Sequence, residues 1–199
     1  MTVPAWSPEL LLCYPLAGEQ ETPPIPDWVK NYRPKRLKRP KEGRVFQVPR
    51  QKGAMRDART ILQRLRHECR ELSPSQQTRY LQGTLRQICP FVYEELLLHC
   101  CSDCGWKVIR SCYTHDGGID GTFFDGEGGK FLIQAKRYSG DIDPEHLLKF
   151  SEAVSRDKEA IGGVFMHTGS TCDMGYFFEE NLENITLLEG CELREFILQ

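Results

Sequence analysis

Asp116-Gly117-Gly118-Ile119-Asp120-Gly121 and Ile133-Gln134-Ala135-Lys136-Arg137-Tyr138 decide the reading of this chain. A glycine-rich turn, Asp125-Gly126-Glu127-Gly128-Gly129, separates them. An acid ends one short strand, and an amide and a lysine lie two residues apart on the next. Successive side chains on a strand point to opposite faces, so Gln134 and Lys136 share a face and Ala135 points away. If the two strands pair as a hairpin, Asp120, Gln134 and Lys136 converge on one edge. A carboxylate, a neutral oxygen donor and a cation around one point are what metal-assisted phosphodiester cleavage uses.

Working outward, Tyr93-Glu94 lies on an apolar stretch that ends at Gly105-Trp106. Gly163-Val164-Phe165-Met166-His167-Thr168 and Ile185-Thr186-Leu187-Leu188-Glu189-Gly190 follow the central motifs. Each piece alone is weak, but several in this order make a specific signal. From about Pro90 to the C-terminus the chain resembles the Mrr-type restriction endonucleases of the PD-(D/E)xK nuclease superfamily. The resemblance implies a DNA endonuclease with Asp120, Gln134, Lys136 and Glu94 as catalytic residues. It implies a metal held by Asp120, Glu94 and the backbone carbonyl of Ala135. Hard oxygen ligands favour Mg2+, with Mn2+ as a substitute. Gln134 stands where many superfamily members have Asp or Glu, a departure normal for this branch. A neutral amide lowers the charge of the site and weakens metal binding unless Glu94 compensates. Lys136 is expected at the scissile phosphate or the attacking water, where its ammonium supplies charge stabilisation. Arg137 lies on the opposite strand face, and Tyr138 returns to the active face to line a DNA groove.

The residues also have ordinary readings. Asp120 alone is a turn acid, Glu94 beside Glu95 a solvated helix face, and Lys136-Arg137 a solvent-facing pair. Asp116 reads as a turn or supporting acid. His115 and His167 lack an identifiable nucleophile or metal partner and read as non-catalytic.

The chain has 199 residues, 40% of them hydrophobic and 27% charged, and a mean hydropathy of −0.47. One to two small domains and one core are expected. No apolar run reaches the length of a membrane span, and no signal peptide is expected, because Leu10-Leu11-Leu12-Cys13 lacks a basic lead-in. Reduced thiols are then the default for the nine cysteines. Cys100, Cys101, Cys104 and Cys112 cluster with His99, and Cys101 and Cys104 have C-x2-C spacing. They end an apolar helix, so core thiols are preferred to a zinc site.

Net charge is only −2, but its distribution is uneven. Lys30 to Arg70 carries fifteen Lys or Arg against three acids, which leaves the remainder strongly acidic. Such asymmetry fits a basic arm on a catalytic body. Arg33, Lys35, Arg36, Lys38, Arg39 and Lys41 are the arm's candidates for DNA contact, joined by Arg137 and Tyr138. The arm reads alternatively as a solvated linker or a protein-docking tail.

Three segments are expected: an irregular Pro-rich and basic arm over 1–53, a helical connector over 54–89, and the nuclease domain over 90–199. Residues 29–53 are expected to be extended or disordered when free. Helices are expected over 54–72, from Pro74 to about Ile88, over 91–104, from Pro144, over 176–182 and over 191–198. Strands are expected over 106–113, 119–124, 130–138, 163–167 and 185–188. The fold class is α/β. It is a restriction-endonuclease-like three-layer core with a central mixed sheet in α-β-β-β-α-β order, preceded by a basic, mostly helical N-terminal extension.

The function expected is metal-dependent DNA cleavage in restriction or defence against foreign DNA. Alternatives are a DNA-binding accessory protein of a mobile element, and a nuclease effector recruited by a partner through residues 1–89. DNA is the expected partner, with no membrane. A homodimer is expected for double-strand breaks, since one active site cuts one strand. The family context implies a prokaryotic, cytoplasmic, nucleoid-associated protein.

Overall fold

The computed structural model describes Asp27 and residues 49–111, 118–171, 182 and 184–199. Three helices come first: α1 (Pro49–Glu68), α2 (Pro74–Leu85) and α3 (Pro90–Asp103), with a 3-10 turn at Cys69–Glu71. β1 (Lys107–Arg110), β2 (Gly121–Phe124) and β3 (Lys130–Lys136) follow. Then come α4 (Pro144–Arg156), β4 (Ala160–His167), β5 (Ile185–Leu188) and α5 (Gly190–Leu198). Proline stands at the start of α2, α3 and α4, where its missing N–H costs nothing. Asp143 caps α4, its Oδ1 accepting from the Glu145 N–H at 2.9 Å.

α1 begins five residues before the expected Ala54. Pro49 starts a helix instead of breaking one, so residues 49–53 belong to α1 and not to an extended run. The helix expected over 176–182 falls outside the described residues except at Leu182.

The five strands lie in the order β1-β2-β3-β4-β5. The first two pairings are antiparallel and the last two parallel. The sheet is therefore mixed, and α4 makes the crossover between the parallel strands β3 and β4. Alternation along β3 divides the core between the two faces. Ile133 and Ala135 join α1, α2, α3 and α5 in one apolar cluster, while Leu132 joins α4, Phe165 and Leu182 in the other. On the first face, Trp106, Phe123 and Phe131 stack with ring centroids 4.3 and 4.9 Å apart. On the second, Gly163 lets α4 lie close, since a Cβ there would meet Val154 at 2.6 Å. The result is a three-layer α/β core. Among the described residues no helix is long and apolar enough to cross a membrane.

Candidate active site

The site forms where β2 ends and β3 continues. Register between them stops at Gly121 opposite Ile133. Asp120, one residue before β2, still donates its N–H to the Ile133 carbonyl at 2.9 Å. Its carboxylate then takes over from the missing strand: Oδ2 accepts from the Ala135 N–H at 2.7 Å. A residue's N–H and C=O point to the same side of a strand. The Ala135 carbonyl therefore lies on the edge that β2 has left, beside the Asp120 carboxylate. This explains why strand geometry begins at Gly121 and not at Ile119.

Gln134 is 4% exposed. Its Nε2 donates to the Gly118 carbonyl at 2.6 Å, which fixes the amide's orientation. Oε1 is then buried with no hydrogen-bond partner among the described residues. A buried acceptor without a donor costs free energy unless something else satisfies it. A hard cation beside Asp120 would do so.

Gly118 makes this arrangement possible. Its φ is +88°, and a Cβ would lie 2.2 Å from Gln134 Nε2. Gly118→Ala combines a left-handed strain of about 1–3 kcal/mol with displacement of the amide. We expect a lower melting temperature in thermal unfolding followed by circular dichroism. A native melting temperature in that variant would show that the amide's position is immaterial. The glycine pair in Gly117-Gly118-Ile119-Asp120 was the available signal for this position.

Glu94 and Glu95, adjacent in sequence, have different surroundings. Glu95 is 1% exposed and lies 2.8 Å from Arg110 Nε. Glu94, on the second turn of α3, belongs to the site electrostatically. Burial pushes its carboxyl up to about 8; the Asp120 charge adds to the rise, and Lys136 and Arg137 oppose it. Asp120 is pushed up to about 6 by burial, against the Ala135 hydrogen bond and the Lys136 charge. Two carboxylates that hinder each other's ionisation gain from a shared cation. Among the described residues no group of three or more His, Cys, Asp or Glu is placed to hold a metal. The available set is two carboxylates, one amide oxygen and one carbonyl. All are hard oxygens, which fits Mg2+ or Mn2+.

Arg137 turns to the helical face, donating Nη1 to the Arg86 carbonyl at 2.8 Å. Arg86 in turn donates to the Thr168 carbonyl. Tyr138 faces α4, with its hydroxyl 2.7 Å from His146 Nδ1. Both residues thus contact the protein itself. His167 is fully buried opposite Lys136, its pKa pushed down to about 4 by burial, so it is neutral. Burial pushes the Cys100 thiol up to about 12 and Cys101 well above the usual thiol range. Tyr93, the motif residue before Glu94, is 1% exposed, with a hydroxyl near Asp120 and Arg137 that has no hydrogen-bond partner among the described residues. Its apolar neighbours gave no sign of that placement. Arg33, Lys35, Arg36, Lys38, Arg39, Lys41, Cys112, His115 and Asp116 lie outside the described residues.

A family model described as restriction endonuclease matches residues 85–197. Among solved structures, the chain is similar to the MspJI restriction endonuclease in complex with a 27-mer oligonucleotide. The identity is 18%, over 76% of this chain and 34% of that one, with a TM-score of 0.39. No curated protein gives a significant match.

Proposed function

Because the chain belongs to the Mrr-type restriction endonuclease family, a family of nucleases acting on DNA, we propose that it is a divalent-metal-dependent DNA endonuclease. The observation that carries this reading is the clasp of Asp120 on the Ala135 N–H. It brings the motif acid to the strand of Gln134 and Lys136, and Glu94 shares their electrostatic field. Asp120, Glu94, Gln134 Oε1 and the Ala135 carbonyl would hold the metal. A bound Mg2+ supplies water activation and offsets charge developing on the phosphate. Lys136 adds a fixed positive charge at the scissile phosphate. Gln134 holds its oxygen in place through Gly118, and Asp120 keeps Ala135 aligned. Restriction of foreign DNA in a prokaryotic cytoplasm is the role proposed, with a homodimer providing the second cut.

Plasmid nicking in Mg2+, Mn2+ or EDTA tests the reading. The native chain is expected to nick in either metal and not in EDTA. Lys136→Ala is expected to lose about 10²–10³-fold, the range for removing one transition-state donor. Equal nicking in EDTA would overturn metal dependence, and equal nicking by Lys136→Ala would overturn its role.

A further inference from the structure

We propose that the outward face of α1 is a docking surface for the sugar-phosphate backbone of duplex DNA, distinct from the cleavage site. α1 buries Ala54, Ala58, Ile61, Leu62 and Leu65 against the helical layer. At 3.6 residues per turn, Lys52, Arg56, Arg59, Gln63 and His67 fall on the opposite side. All five are exposed. The stripe contains no acid; Asp57, at its margin, lies 3.5 Å from Arg56. Four residues along a helix advance about 6 Å, and phosphates recur about every 3.4 Å along the axis on each strand. Long side chains one turn apart can therefore meet separate phosphates.

Charge balance selects the occupant. Residues 71–199 carry twenty-one Asp or Glu against eleven Lys or Arg, a net of −10. A catalytic layer of that sign repels DNA at a distance, so the attraction has to come from the basic segment before it. α1 gives part of that segment a rigid seat. The His99 ring lies 3.1 Å from the Met55 carbonyl, and Arg66 reaches the Ile197 carbonyl at 2.8 Å and Asp103 at 2.6 Å. α1 is packed against α3, which carries Glu94. DNA on the stripe is thus held in fixed relation to the site. α1 lies before residue 85, where the family match begins, so the surface is an addition to the shared module. The choice of DNA as the polyanion rests on the nuclease reading.

The test uses the full chain with Lys52→Gln, Arg56→Gln and Arg59→Gln combined. Glutamine preserves helix propensity, and circular dichroism checks the fold. Binding of a labelled duplex is followed in EDTA across a KCl series. Losing three phosphate contacts lowers the slope of log Kd against log salt by about 2 to 3. Affinity at low salt is expected to fall at least about tenfold, while single-turnover cleavage at saturating DNA stays native. Lys149→Gln, Arg156→Gln and Lys158→Gln remove the same charge elsewhere and are expected to leave the slope native. An unchanged slope in the α1 variant overturns the proposal, as does the same loss in both variants. So does a loss of self-association without a change in DNA binding, which would assign the stripe to a second copy. A native chain that binds through α1 yet cuts nothing keeps the surface and removes the nuclease. A chain that cuts with its slope untouched by the α1 variant does the reverse.

Discussion

Asp120→Asn is expected to abolish cleavage while leaving the fold and DNA binding in place. Asparagine keeps an oxygen that accepts from the Ala135 N–H, now held by Asp120 Oδ2 at 2.7 Å. The edge between β2 and β3 therefore stays closed. What disappears is the negative charge that would anchor a cation next to the Ala135 carbonyl and Gln134 Oε1. The loss expected is on the order of 10³-fold in cleavage rate, equivalent to about 4 kcal/mol of transition-state stabilisation. Affinity for duplex DNA in EDTA should be equal or tighter, because a buried carboxylate no longer faces the phosphates. Asp120→Ala removes the hydrogen bond as well and should lower the melting temperature. If Asp120→Asn cut at more than a tenth of the native rate, the assignment of Asp120 to the metal would fail.

Glu94→Gln should make the metal-free protein more stable and the enzyme nearly inactive. The Glu94 carboxyl is raised from 4.5 to about 8, and that of Asp120 from 3.8 to about 6. For an acid raised in this way, the folded state holds its proton more tightly than the unfolded state. The associated stability is present below the unfolded pKa and is lost as pH rises through the folded pKa. The native apoprotein should therefore lose stability between about pH 4 and pH 8, as these values indicate. Glutamine removes the Glu94 share of that loss, so the variant should melt above the native chain at pH 8. Near pH 4 the difference should vanish, because Glu94 is then protonated in both states. Mg2+ should raise the melting temperature of the native chain more at pH 8 than at pH 5. Cleavage should climb over the same interval, and higher Mg2+ should move the climb to lower pH. A stability difference that did not depend on pH would point to packing instead of charge.

The order of elements was legible because each carries its own local signal. Pro74, Pro90 and Pro144 mark their helix starts, and Gly105 closes α3 at φ +81°. Short apolar runs with turns between them gave the strands, and β5 agrees with its expected span at both ends. What escaped is what depends on distant partners. β2 starts late because the Asp120 side chain, and not its strand geometry, meets Ala135. Glu94 and Glu95 cannot be told apart by spacing. One lies by Arg110 and the other by Asp120, a difference that exists only once α3 packs on the sheet. Arg137 reads as a surface cation beside Lys136, yet the Arg86 carbonyl draws it to the helical layer. The motif thus disclosed which residue types gather, while the Gln134 oxygen and the Tyr93 hydroxyl, both without a partner among the described residues, required the assembled core.

The arginine relay at the ends of β3 and β4 bears on how this protein could be inherited in pieces. Arg137 reaches the Arg86 carbonyl, Arg86 reaches the Thr168 carbonyl, and the Thr168 hydroxyl bonds the Tyr138 backbone at both N–H and C=O. Leu65, Leu85 and Ile88 meanwhile sit in the same apolar cluster as Ile133 and Met166. A gene fusion or recombination event joined at Pro90 would strip the cover from that cluster and cut the relay. A piece that begins at Pro90 would need other apolar cover for Ile133 and Met166 and another acceptor for Arg137.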